Sequence, residues 1–148
     1  MRYLLVDRVT SVEPGRKITG VKNVAMSEDF LEFHFPKNPI MPGILLLEAL
    51  VQLTGWLEAV SSDFTKWFLV SKVLKSSFYS FAYPGDRVEL SVSCPPAPSK
   101  DLVIYSGVAQ VNGKRRVKAE FRGNLVDFET IEEVEEQKRY FELLQRGV

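Results

Sequence analysis

Phe33-His34-Phe35-Pro36-Lys37-Asn38-Pro39-Ile40-Met41-Pro42-Gly43-Ile44-Leu45-Leu46-Leu47-Glu48-Ala49-Leu50-Val51-Gln52-Leu53-Thr54-Gly55-Trp56-Leu57 is the stretch whose reading decides how this chain folds. Its three prolines stiffen the backbone just after His34, the only histidine of the chain. Pro42 suits the first turn of a helix, where its missing N–H costs nothing. From residue 43 to 60 nearly every side chain is apolar, which predicts a helix buried on most sides instead of an amphipathic surface helix. Glu48, Gln52 and Glu58 interrupt the run too early for a bilayer span. Glu48 and Gln52 stand four apart and so share one helical face. An unpaired carboxylate is costly to bury or stays neutral, so Glu48 requires a partner or a task.

Outward from this helix, the flanks read as strands. Residues 9–13 and 17–24 surround Pro14-Gly15, two turn formers. Residues 67–83 are rich in β-branched and aromatic side chains and end at the turn Pro84-Gly85-Asp86. Val88, Leu90, Val92 and Cys94 alternate with polar residues, the period-two pattern of a strand with one buried face. Residues 102–111 and 114–126 flank Asn112-Gly113, the strongest short-range hairpin signal. Thr130-Ile131-Glu132-Glu133 has the form of a capping box and predicts a final helix to about residue 146, with Gly147 as its stop. Its apolar stripe is Ile131, Val134, Phe141 and Leu144. The pattern predicts an α+β fold, an antiparallel sheet wrapped round the apolar helix.

At 148 residues the chain has the size of one domain with a real core. Its 19 basic side chains balance its 19 acidic ones, so no overall charge points to nucleic acid or to a membrane surface. The single cysteine, Cys94, has no second thiol for a disulfide or a metal site and reads as a small buried hydrophobe. The apolar run near the start is too short for a signal-peptide core, and a cytoplasmic location is expected.

The segment from His34 to Ala49, with its spacing of His34, Pro42-Gly43 and Glu48, resembles the active-site segment of the 3-hydroxyacyl-acyl-carrier-protein dehydratases of type II fatty acid synthesis, the FabZ and FabA group. Leu4-Leu5-Val6-Asp7-Arg8-Val9 and Pro84-Gly85-Asp86 are similar to the same family. The resemblance implies a hot-dog fold, a curved antiparallel sheet around a central helix, over residues 1–126, with residues 127–148 as a helical extension. It implies dehydration of 3-hydroxyacyl thioesters, with an acyl carrier protein as partner and no metal or organic cofactor. It also implies a homodimer at minimum, with a hexamer of three dimers as a further expectation, and a site in which His34 and Glu48 come from different subunits. His34 then matches the base that takes a proton from C2, Glu48 the carboxyl that assists departure of the 3-hydroxyl, and Gly43 the residue whose N–H polarises the thioester carbonyl. Phe35, Met41, Pro42, Gln52 and Phe78 are the expected substrate-binding residues.

Residue chemistry agrees with those roles. α-Proton removal leaves negative charge on the thioester oxygen, and a helix N-terminus offers free N–H groups and a positive dipole end to receive it. Imidazole exchanges protons near neutrality, and a carboxyl shut among apolar groups resists ionising. Gln52 either orients a reacting group or is a satisfied buried amide. Phe68, Phe78, Phe81 and Tyr83 read first as core or interface and second as an acyl tunnel. Lys114, Arg115, Arg116 and Lys118 form a solvated hairpin tip or a docking patch for an acidic carrier protein. Phe33 and Lys37 stand where family members usually carry glycine. They motivate one rival, a non-catalytic acyl- or carrier-binding module. The other rival is another thioester enzyme on the same fold, a thioesterase or a specialised lipid or polyketide dehydratase.

Overall fold

The computed structural model describes residues 3–147. Six strands, β1 (Arg8–Glu13), β2 (Lys17–Asn23), β3 (Lys66–Phe78), β4 (Arg87–Ser93), β5 (Tyr105–Val111) and β6 (Lys114–Asp127), form one antiparallel sheet in the order β1-β2-β4-β5-β6-β3. The 19-residue helix α1 (Gly43–Ser61) packs against its inner face, and a shorter helix, α2 (Val134–Leu144), follows the last strand. This is the hot-dog arrangement that the resemblance implies.

Local chemistry accounts for the elements. In β4, Val88, Leu90 and Val92 turn inward and are buried, while Glu89 between them is exposed. Asn112 and Gly113 take φ of 50° and 78°, the left-handed pair that a two-residue hairpin requires. The pairing of β3 with β6 slips twice, between Val70 and Lys72 and between Val73 and Lys75, and such irregularities bend a sheet. The helix has the length and apolarity of a membrane span, yet it is mostly buried within its own fold, where Leu50, Leu53 and Leu57 are fully covered. Close approach of helix and sheet depends on Gly55: a Cβ there would lie 2.2 Å from Cζ2 of Trp67.

Two expectations are corrected. The strand-like run predicted over residues 67–83 ends as a strand at Phe78. Tyr79 still donates its N–H to the carbonyl of Arg116 in β6 at 2.9 Å, and the chain then turns toward the histidine loop, where Ala82 bridges Met41. The final helix opens at Val134 and not at the predicted capping box. Thr130 belongs to a short 3-10 turn (Phe128–Thr130) and donates its hydroxyl back to the carbonyl of Asp127 at 2.6 Å. Phe128, buried and stacked on Trp67 at 5.1 Å, pins that turn and delays the helix. Ile131 therefore lies outside the helix and is 44% exposed, while Phe141 and Leu144 are buried as the stripe predicts.

Candidate active site

The histidine loop is built by its own backbone. Phe35 and Asn38 exchange N–H to carbonyl bonds at 3.1 and 3.0 Å, the N–H of Ile40 donates to the carbonyl of His34 at 2.8 Å, and that of Met41 donates to Ala82 at 2.9 Å. Upstream, the buried Lys22 of β2 holds Glu28 at 2.5 Å and Asp7 at 3.5 Å, which ties the start of the loop to the sheet. Half-buried His34 stacks on Phe35 with ring centroids 4.3 Å apart. Its Nδ1 lies 3.0 Å from the carbonyl oxygen of Ile40. A carbonyl only accepts, so Nδ1 carries a hydrogen and Nε2 is the nitrogen left to exchange a proton.

Eight residues after His34 the loop meets the helix. Pro42 is the N-cap and Gly43 the first helical residue, so the N–H of Gly43 is among those with no acceptor inside the helix. The ring of Phe78 lies so close that a Cβ on Gly43 would come within 2.7 Å of its Cδ1. Over this corner opens a cavity of about 580 Å³ lined by His34, Phe35, Met41, Gly43 and Phe78, with Tyr79 to Phe81 closing one side. The fold thus brings together five of the eight residues the sequence singled out. Pro42 shapes the corner without lining the cavity. Of the four aromatics in doubt, Phe78 and Phe81 line it, Phe68 is core, and Tyr83 is 43% exposed outside the lining. Tyr79 and Ser80 escaped the sequence reading because only the tertiary fold sets the end of β3 beside the histidine loop.

Glu48 and Gln52 do not line this cavity within one chain. Glu48 is half-buried, less enclosed than its apolar sequence neighbours imply, because Ile44 (61% exposed), Glu48 and Val51 form a strip of α1 that the chain's own sheet leaves uncovered. Every polar atom of the Gln52 side chain is engaged. Its Nε2 donates to Glu48 Oε1 at 3.0 Å and to the carbonyl of Tyr3 at 2.7 Å, while its Oε1 accepts from the N–H of Leu5 at 3.0 Å. The amide is satisfied, and it holds the carboxylate.

A separate buried polar group lies further along α1. Glu58, 1% exposed, accepts from the phenol of Tyr105 at 2.7 Å and from Nζ of Lys100 at 3.2 Å. Burial, then the bond to Glu58, pushes the Tyr105 phenol well above the ordinary tyrosine range. Burial, then the Glu58 charge, raises the Cys94 thiol. Among the described residues no three His, Cys, Asp or Glu side chains gather as a metal-binding group would need.

A six-stranded hot-dog sheet, a backbone-clamped histidine loop and a helix start opening on one cavity define a hot-dog protein with its candidate site at the N-terminus of the central helix. The FabA-like domain family matches residues 1–120, and the chain belongs to that family. The chain is 38% identical to the 3-hydroxyacyl-[acyl-carrier-protein] dehydratase FabZ of Aliarcobacter butzleri, over 84% of this chain and 88% of the relative. It is 43% identical to the FabZ of Nitratidesulfovibrio vulgaris, over 79% and 77%. Among solved structures, smu.793 from Streptococcus mutans bound to acetyl CoA superposes with a TM-score of 0.66 at 13% identity, over 86% of this chain and 94% of that one. That likeness concerns the fold alone.

Proposed function

We propose that this chain is a hydro-lyase that dehydrates 3-hydroxyacyl thioesters carried on acyl carrier protein to trans-2-enoyl thioesters, in cytoplasmic fatty acid synthesis. The observation that carries the reading is the shared cavity of His34 and Gly43, a base and an oxyanion donor at one helix start, in a chain of the FabA-like family. Nε2 of His34 takes a proton from C2. Negative charge grows on the thioester oxygen, toward which the Gly43 N–H and the helix dipole are directed. The 3-hydroxyl leaves as water with a proton from Glu48, and the electron pair of the broken C2–H bond becomes the new double bond. Return of the proton from His34 to Glu48 resets the site.

The carboxyl in this scheme belongs to a second copy of the chain. Support comes from the separation of Glu48 from the cavity of His34 and from two uncovered apolar surfaces, the strip of α1 with Ile44 and the edge strand β3 with Leu69, Val70, Val73 and Leu74. An unpaired apolar edge is a ready template for a second strand, so a homodimer joined at β3 is the minimum assembly, and a hexamer of such dimers builds on it. Lys114, Arg115 and Lys118, exposed beside the cavity-lining residues 78–81, supply a basic surface for an acidic carrier.

The test is hydration of crotonyl thioesters, the reverse reaction, followed by loss of enoyl absorbance on carrier-protein and coenzyme A substrates. Wild-type activity that disappears in His34→Ala supports the reading. Activity unchanged in that variant removes the proposed base, and a wild type inert on both carriers favours a binding module.

A further inference from the structure

The family match ends at residue 120, so α2 and the turn before it are additions to the matched region. They are firmly attached. Phe141 packs on Trp56 of α1 at 5.3 Å and on Phe64 at 5.8 Å, and Tyr140 lies 5.8 Å from Trp56. Between this addition, the start of β3 and α1 is a cavity of about 230 Å³, walled by Trp56, Trp67, Phe128 and Tyr140, with Ile131 at the turn and Gln52 on the side of α1. An apolar cavity of about 150 Å³ already holds a benzene-sized guest, so this one has room for the end of a hydrocarbon chain. The notch at Gly55 is what lets Trp67 lie against the helix and form part of its wall.

Gln52 connects this cavity to the chemistry. The same side chain that lines it donates to Glu48 at 3.0 Å. Glu48 and Trp56 are eight residues apart on α1, about 12 Å at the helical rise of 1.5 Å per residue. A thioester whose reacting carbons lie at Glu48 would reach the aromatic walls only with a long tail.

We infer that the aromatic cavity beneath α2 receives the far end of a long acyl chain, so that Ile131 and Tyr140 of the C-terminal addition set the chain length this protein accepts. The inference rests on the thioester reading for its ligand and deepens it by naming the substrate class. An unbranched acyl tail suits the site because aromatic and aliphatic side chains, those of Leu4 and Val6 included, make up most of its lining, with Glu132 and Gln137 as polar members on the side of the addition and Gln52 toward the thioester.

The chain has two tryptophans, and both line this cavity, so its fluorescence reports occupancy without any reaction. The probe is a saturated long-chain acyl pantetheine thioester carrying bromine on its terminal carbon, with the unbrominated thioester as control. The expected result is saturable tryptophan quenching by the brominated probe alone, abolished in Ile131→Tyr. That variant changes a partly exposed position and should fold normally. It should also lower kcat/KM on a long-chain 3-hydroxyacyl thioester by about tenfold, the scale of one or two methylenes denied burial, and leave the four-carbon substrate unaffected. Absence of quenching in the wild type, or an equal loss on short and long substrates, overturns the inference. Quenching by a protein that turns over neither substrate keeps the cavity assignment and removes the dehydratase reading instead.

Discussion

The side-chain amide of Gln52 joins Glu48 at 3.0 Å to the backbone of the N-terminal segment at Tyr3 and Leu5, with both of its hydrogens and its oxygen engaged. One residue therefore fixes the orientation of the candidate acid and anchors the chain that runs into β1.

Gln52→Ala should act on both. The buried N–H of Leu5 would lose its acceptor, a cost of about 1–3 kcal/mol visible as a lower urea midpoint. Glu48 would lose its guide, and kcat should fall with KM nearly unchanged. An equal change in both kinetic parameters would contradict a positioning role.

Subunit complementation tests the shared site. His34→Ala and Glu48→Gln should each lose about 100-fold or more in turnover, the scale of losing an acid or base group. Mixed after subunit exchange, the two inactive proteins should regain part of the activity, because a heterodimer carries one site with both groups intact. Leu69→Lys combined with Val73→Lys, two charges on the apolar edge of β3, should yield a monomer by light scattering that is inactive.

Gly55→Ala should be harmful although alanine is the better helix former. Its Cβ would sit 2.2 Å from the indole of Trp67, and a ring that also stacks on Phe128 cannot move freely. Overpacking of this kind costs about 1–3 kcal/mol. A thermal melt measures it, and Trp67→Leu in the same chain should restore much of the loss.

The Glu58 and Tyr105 pair gives stability a pH dependence. The Tyr105 phenol holds its proton more tightly in the folded chain, so its contribution is complete below the ordinary tyrosine range, near pH 10, and is lost as pH rises toward the folded value. The raised Cys94 thiol acts in the same direction from a lower starting pH. Urea midpoints should therefore fall steadily in alkaline solution. Tyr105→Phe should flatten that fall while lowering stability at neutral pH by about 1–3 kcal/mol, since Glu58 loses a buried donor.

The sequence by itself determined the central helix, the strands and the loop-to-helix corner, because these rest on local causes. Apolar runs, prolines and Asn112-Gly113 restrict the backbone wherever they occur, and the spacing of His34, Gly43 and Glu48 is carried in one continuous segment. What lies over that segment was decided only by the tertiary structure. Phe78 reaches Gly43 because the curved β3 ends beside the helix start, and Thr130 gives up its capping role because Phe128 is drawn onto Trp67. The same holds for Glu58, a mere interruption of the apolar pattern until Tyr105 and Lys100 arrive from more than 40 positions away. Such meetings depend on sheet order and on which volumes fill which gaps, and those are properties of the packed chain as a whole.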